Sequence, residues 1–305
     1  MHRIARRLLP ALGLLLTASA AQAQYTAYGL TTDAQGAQQL VRFSTGAPGT
    51  VVTLGATGAA LTGIDFRPLD NALYGYDGNL LYTVNVTTGV ATVLYDVANA
   101  SGNVGFDFNP TVDRIRVVDA SGTNYRLNQL TGATTVDGAY AFAAGDPNAG
   151  RMPSFTAVAY TNSDTDPATG TTLYGIDATL GQLVRIASPN GGDVNTVGSL
   201  GIGAFGAIAG FDIATVGGMN TAFLTVMGAG ASVVSQLYTV DLTTGAATLV
   251  GNVNAPRGIA GLAVSTVPEP GTWALLGTGL LAVGLVALRR REPVPSAAGG
   301  APREP

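Results

Sequence analysis

Leu61, Gly63-Ile64-Asp65-Phe66, then Leu73-Tyr74-Gly75, Leu81-Tyr82-Thr83-Val84, the turn Thr87-Thr88-Gly89 and Ala91-Thr92-Val93-Leu94 form the phrase on which the fold turns. It reads as four short strands, with a break at Pro68 and a glycine turn before the last. Thr, Val, Tyr and Leu suit a pleated, half-buried surface. A tight hairpin needs a residue at positive φ, which glycine takes without a Cβ penalty.

The phrase returns along the chain. Gly105-Phe106-Asp107-Phe108-Asn109-Pro110 restarts it, Arg114-Ile115-Arg116-Val117-Val118 fills its second strand and Thr131-Gly132-Ala133-Thr134-Thr135 closes it. A third copy runs from Thr156 to Leu200 through Leu173 to Asp177, Leu183 to Ile186 and an Asn190-Gly191 turn. A fourth begins at Gly210-Phe211-Asp212-Ile213 and ends with Leu237 to Val240, Thr244-Gly245 and Ala247 to Gly251. Internal similarity at about 40 to 50 residues, four strands per unit, is the signature of a propeller blade. Helical periodicity is absent between Tyr25 and Ser265, so the class is all-β.

The ends of the array decide between a ring and an open stack or sandwich. Tyr25 to Leu54 holds only the later strands of a unit, and the missing first strand stands at the far end as Gly258 to Val264. One blade is thus assembled from both termini, which closes the ring and removes exposed sheet edges. The expectation is a β-propeller of five four-stranded blades over residues 24–266, closed by pairing of the N- and C-terminal strands.

Residues 1–23 read as a secretory signal peptide for signal peptidase: Arg3, Arg6 and Arg7 precede an apolar run from Leu8 to Leu16, and Ala21-Gln22-Ala23 is a small-x-small cleavage site. There is no cysteine, and the lone histidine, His2, lies in that leader. Disulfides, thiol chemistry, a histidine triad and a zinc site are therefore excluded from the mature body. Between Gln24 and Thr266 every base is arginine and every acid aspartate, eight against sixteen for a net of −8. Such a balance argues against nucleic acid as a partner and is compatible with cations such as Ca²⁺. Without His, Cys, Lys or Glu in the body, most nucleophile and acid–base options are gone, which favours a non-enzymatic role.

Past Ser265 the composition changes. Pro268-Glu269-Pro270 leads to an apolar run from Trp273 to Leu288 and then Arg289-Arg290-Arg291. The run is long enough for a thin or locally adapted bilayer, with the arginines on the cytoplasmic side. One C-terminal transmembrane helix is expected within residues 267–291, followed by a disordered cytoplasmic tail at 292–305. This segment resembles the PEP-CTERM sorting signal. The resemblance implies processing by an exosortase-type membrane peptidase in a Gram-negative bacterium, with links to extracellular polysaccharide and biofilm. The tail beyond Arg291 departs from the usual pattern, which stops soon after the basic residues.

The body resembles an exported bacterial family catalogued only as a domain of unknown function, the family numbered 4394. The stretches that carry this are Phe106 to Pro110 with Val112 to Val118, Ala159-Tyr160-Thr161-Asn162, Thr172 to Asp177 and Pro189-Asn190-Gly191-Gly192. The family brings no activity, so it transfers no functional residue.

Candidate chemistry sits in three places. Asp65, Asp107 and Asp212 share one register of the first strand in three blades, with Ala159 and Ala263 in the other two. First strands line a propeller's channel, so these carboxylates can converge to bind a hard cation or share protons, or each can serve backbone donors at a strand or turn edge within its own blade. Asn162, Asp164 and Asp166 resemble the first half of a calcium loop, but Pro167 follows, the glycine is displaced to Gly170 and no glutamate completes it. Arg114 and Arg116, on one face of their strand, can grip a carboxylate or an anionic sugar; salt bridges to Asp113 or Asp119 would look the same. The glycine-rich run 201–210 lacks the Lys-Ser/Thr of a phosphate loop. Recurrent tyrosines, Tyr28, Tyr74, Tyr82, Tyr174 and Tyr238, fit packing between blades. The expected function is an exported surface or extracellular-matrix protein that binds a glycan or envelope partner. The alternative is a metal-assisted extracellular hydrolase or lyase working from the aspartate ring.

Overall fold

The computed structural model describes residues 25–265 except 103, 204 and 229–233, and the side chains of 205–209 are also outside what it describes. The expected signal peptide, the span from Trp273 to Leu288 and the C-terminal tail lie outside the described residues. Among the described residues no helix is long and apolar enough to cross a membrane.

The chain opens with β1 (Thr26–Thr32), β2 (Gln38–Ser44) and β3 (Ala47–Ala56). Blade 1 is β4 (Gly63–Phe66), β5 (Leu73–Tyr76), β6 (Leu80–Val84) and β7 (Ala91–Asp96). Blade 2 is β8 (Val104–Asn109), β9 (Arg114–Asp119), β10 (Asn124–Leu127) and β11 (Thr134–Val136). After the short β12 (Ala141–Phe142), blade 3 is β13 (Phe155–Tyr160), β14 (Leu173–Asp177), β15 (Gln182–Ser188) and β16 (Asp193–Ser199). Blade 4 is β17 (Phe205–Val216), β18 (Met219–Gly228), β19 (Ser235–Val240) and β20 (Ala247–Val253), and β21 (Ala260–Ser265) ends the array. Successive strands in each blade pair antiparallel, and β12 adds a parallel fifth strand outside β16.

Blade 5 is the sheet β21-β1-β2-β3, with Thr26 opposite Ser265 and Tyr28 opposite Ala263. The ring is thus a closed five-bladed propeller, stitched through backbone bonds between the two ends of the array. The first strands β4, β8, β13, β17 and β21 neighbour one another in that cyclic order around the axis. All five run the same way, so the loops that follow them, and Ser265, share one face of the disc.

The apolar core is divided into five clusters, one per blade interface. Leu30 and Leu40 pack on Ile64 and Tyr82 between blades 5 and 1, and Tyr76 and Leu81 on Phe106 and Ile115 between blades 1 and 2. Val118 meets Phe155 and Val184, Ile176 and Leu183 meet Leu224 and Val226, and Phe223 and Leu237 meet Val41 and Leu262. Each such aliphatic or aromatic side chain contributes about 1.5–3 kcal/mol by leaving water. Tyr28 and Tyr74 cross the interfaces as well, with their rings edge-on to Phe66 at 5.2 Å and Phe108 at 5.1 Å.

The Thr-Thr-Gly turns serve twice. Gly89 (φ +79°) and Gly245 (φ +81°) reverse their hairpins, and each turn docks on the outer strand of the preceding blade. Beside them Ala91 N–H donates to the Thr57 carbonyl and Ala247 N–H to the Leu200 carbonyl, both at 2.9 Å. The backbones approach so closely that a Cβ on Gly55 or Gly198 would stand 2.1 Å from a Thr88 or Thr244 carbonyl oxygen.

Candidate functional site

A first strand in a propeller has an unpaired edge toward the axis, and its N–H groups need acceptors. Three aspartates supply them for all five blades. Asp65 accepts Phe66 N–H through Oδ1 and, across the interface, Phe108 N–H through Oδ2, both at 2.7 Å. Asp107 Oδ1 accepts Tyr160 N–H of blade 3 at 2.9 Å. Asp212 accepts Ile213 N–H at 2.6 Å and reaches Val264 N–H of blade 5. The five donors follow the shared register in every blade, and the pattern explains where alanine is tolerated. Ala159 and Ala263 precede blades 4 and 1, whose own Asp212 and Asp65 turn back to serve the local amide.

The three carboxylates are 3–6 % exposed, and one oxygen from each lies within 4.8 Å of the others. Burial pushes Asp65 well above the ordinary carboxylate range, and the charge on Asp212 adds to it. Asp107 is raised by burial and then by Asp65 and Asp212, and burial pushes Asp212 up to about 6 against the pull of its two amides. Five of the six oxygens accept amides, and Asp107 Oδ2 takes no hydrogen bond among the described residues. Below the ring, the axial cavity walled by Gly63, Gly105, Gly210 and Gly261 measures about 10 Å³, room for one water at most.

A second site opens where blades 2 and 3 meet. A pocket of about 330 Å³ is lined by Asn109, Val112, Arg114, Arg116, Arg126, Tyr160 and Asn190. Alternation along β9 brings Arg114 and Arg116 to it together. Arg116, only 2 % exposed, donates to Asn124 Oδ1 at 2.7 Å, to Asp137 and to Asn190 Oδ1 at 2.6 Å. Arg126 binds the same Asp137 from β10 through Nε and Nη2, at 2.6 and 2.9 Å. Burial raises the Asp137 carboxyl, but the guanidiniums of Arg126 and Arg116 outweigh it and hold the group below its usual range. Arg114 takes neither aspartate considered for it: its Nη1 donates to the backbone carbonyls of Asp113 and Val112. The Asp113 carboxylate is gripped by Arg67 at 2.6 and 2.8 Å, and Asp119 accepts the backbone of Ser101, Ser121 and Thr123.

Asp164 and Asp166 stand apart from the ring. Asp164 Oδ1 accepts Asp166 N–H and Asp166 Oδ1 accepts Ala168 N–H, so each shapes its own turn. Their loop is tied to blade 4 through Asn162 and Asn220, which exchange bonds at 2.8 Å, and Ser163 N–H on Thr215. Asp137, which joins Arg116 and Arg126 beside the pocket, is the residue that reading by strand missed. The signal was available in the register: Arg116 and Arg126 face each other across β9 and β10. Like charges directly opposite are destabilising, so such a pair demands an anion between them.

A model for the family described as a domain of unknown function, DUF4394, matches residues 39–263, from β2 to β21. The chain belongs to this family. Residues 266–291 match the PEP-CTERM protein-sorting motif, so the DUF4394 disc is followed directly by a signal for export and for exosortase-type sorting from a C-terminal membrane anchor. No curated protein matches this DUF4394 chain. Among solved structures it is similar to a protein of unknown function from Bacteroides thetaiotaomicron, at 13 % identity and a TM-score of 0.45 over 65 % of this chain and 52 % of that one. It is also similar to an auxiliary nutrient binding protein from the same organism, at 13 % and 0.39 over 64 % and 55 %. A Lactobacillus plantarum protein gives 15 % and 0.41 over 80 % and 99 %. The chain spans about half the length of the first two. Likeness at this level carries no function, and the blade count rests on strand pairing alone.

Proposed function

We propose that this DUF4394 protein is a non-enzymatic binding disc, delivered by exosortase-type sorting to the cell surface or extracellular matrix, where one face holds a glycan or an envelope protein. The observation that carries this reading is the chemistry of the pocket between blades 2 and 3. Its titratable lining is Arg114, Arg116, Arg126 and Tyr160. Arginine keeps its proton at any ordinary pH, and burial makes the Tyr160 hydroxyl harder still to ionise. Groups that hold their protons so firmly donate hydrogen bonds and fixed charge but are poorly matched to proton transfer. The test is titration of the full chain, in detergent, with the producing cell's extracellular polysaccharide and with its envelope proteins. Saturable binding to one of them is the expected result, and binding to neither removes the proposal.

A metal-assisted hydrolase acting from the aspartate ring has one observation in its favour, the approach of three carboxylate oxygens within 4.8 Å. Access weighs against it, since all three side chains are buried and the axial cavity has no room for a substrate.

A further inference from the structure

We infer that the pocket between blades 2 and 3 binds a carboxylate borne on a small polyhydroxylated ligand, an acidic sugar of the uronate class. This rests on the reading of the disc as a binder and names the chemistry of its ligand. Three of the eight arginines between Gln24 and Thr266 line this one pocket. Arg116 and Arg126 share a single acid, Asp137, and Arg114 donates to backbone carbonyls. Three cations against one anion leave the pocket at +2 in a body whose net charge is −8. That local excess of positive charge, against the sign of the whole molecule, is an attraction for an anion.

The roles divide by mobility. Arg116 is locked by Asn124, Asp137 and Asn190, so it acts as a fixed charge at the back of the pocket. Arg126 spends Nε and Nη2 on Asp137 and keeps Nη1 for a ligand. Among the described residues Arg114, half-exposed, has only Nη1 engaged, so its Nε and Nη2 present the parallel fork that matches a planar carboxylate. Around this grip the polar groups are neutral: the Tyr160 hydroxyl and the Asn109 and Asn190 amides, suited to sugar hydroxyls. At about 330 Å³ the cavity is at the small end of ligand pockets, which run from about 300 Å³ upward, and takes a ligand of one or two rings.

The experiment is calorimetric titration of the full chain in detergent with four probes: a digalacturonate, its methyl ester, a neutral disaccharide and inorganic phosphate. The digalacturonate is expected to bind at least about tenfold more tightly than its ester, because a charge-assisted bidentate bond is lost on esterification. Arg114→Gln is expected to bring the acid down to the level of the ester, while Arg114→Lys keeps part of the affinity. Affinity should also fall with added salt. Equal binding of acid and ester, stronger binding of phosphate than of digalacturonate, or an unchanged Arg114→Gln variant overturns the assignment. If polysaccharide or an envelope protein still binds in that case, the disc remains a binder and only the ligand class is wrong. If no probe and no partner binds, both readings fall.

Discussion

At the scale of single residues, the aspartate ring couples the disc to pH. In the unfolded chain Asp65, Asp107 and Asp212 titrate near 3.8, while in the ring all three are raised, Asp212 to about 6 and the other two well above the ordinary value. Between those limits the folded state binds more protons than the unfolded one, so stability falls as pH rises through 6 and beyond. Asp77, Asp113, Asp119, Asp137 and Asp146 are shifted the other way and lose their contribution as pH drops below about 4. The melting temperature of the full chain should therefore peak in mild acid. Asp107→Asn isolates the ring: its Oδ1 still accepts Tyr160 N–H and its amide donates to a neighbouring carboxylate. This variant should melt several degrees higher than the parent at pH 8 and show a shallower decline from pH 5 to 8. A midpoint that rises with Ca²⁺ in the parent but not in Asp107→Asn, against an EDTA control, would instead make the ring a cation site. The register of the three aspartates and two alanines was legible in the chain. Which amide each oxygen serves was not, because that depends on which blade follows which around a closed ring.

At the scale of strands and turns, the Thr-Gly steps were readable because glycine at a hairpin has a local cause. Their second role, docking on the blade before, is a tertiary fact with no local signal. It gives a sharp comparison. A Cβ on Gly198 meets the Thr244 carbonyl oxygen at 2.1 Å, while one on Gly203 has no atom within 4 Å. Since the obstacle is backbone on both sides, Gly198→Ala should force β16 and the Thr244 turn apart and cost about 1–3 kcal/mol. Gly203→Ala should be near neutral. Urea unfolding of the two variants checks this, and equal midpoints would mean that the turns rest on the outer strands without holding them. Two strands stayed hidden in the sequence for related reasons. β12 is two residues long and pairs only through β16. β10 carries the buried Asn124 and the half-buried Arg126, polar residues whose places are intelligible only with Arg116 and Asp137 beside them.

At the scale of the molecule, everything depends on closure. Without β21 the ring would lose Leu262, Ala263 and Val264 from two of its five cores, the Val264 amide bound by Asp212, and the partner of β1. The inner edge of β1 would be left unpaired, Asp212 would keep only the Ile213 amide, and the ring of first strands would be broken between β17 and β4. The sorting motif begins at residue 266, one position past the end of β21. Removing residues from 266 onward therefore spares the closing strand, and removing six more does not. A chain ended after residue 265 should unfold in one cooperative transition at the midpoint of the full chain. A chain ended after residue 259 should lack that transition and expose apolar surface to a hydrophobic dye. If the shorter chain melts like the longer one, blades 1 to 4 are self-sufficient and strand exchange between the termini is an ornament. If it fails as expected, the position of the sorting motif acquires a physical reason: processing there must leave β21 in place to release a disc that is still closed.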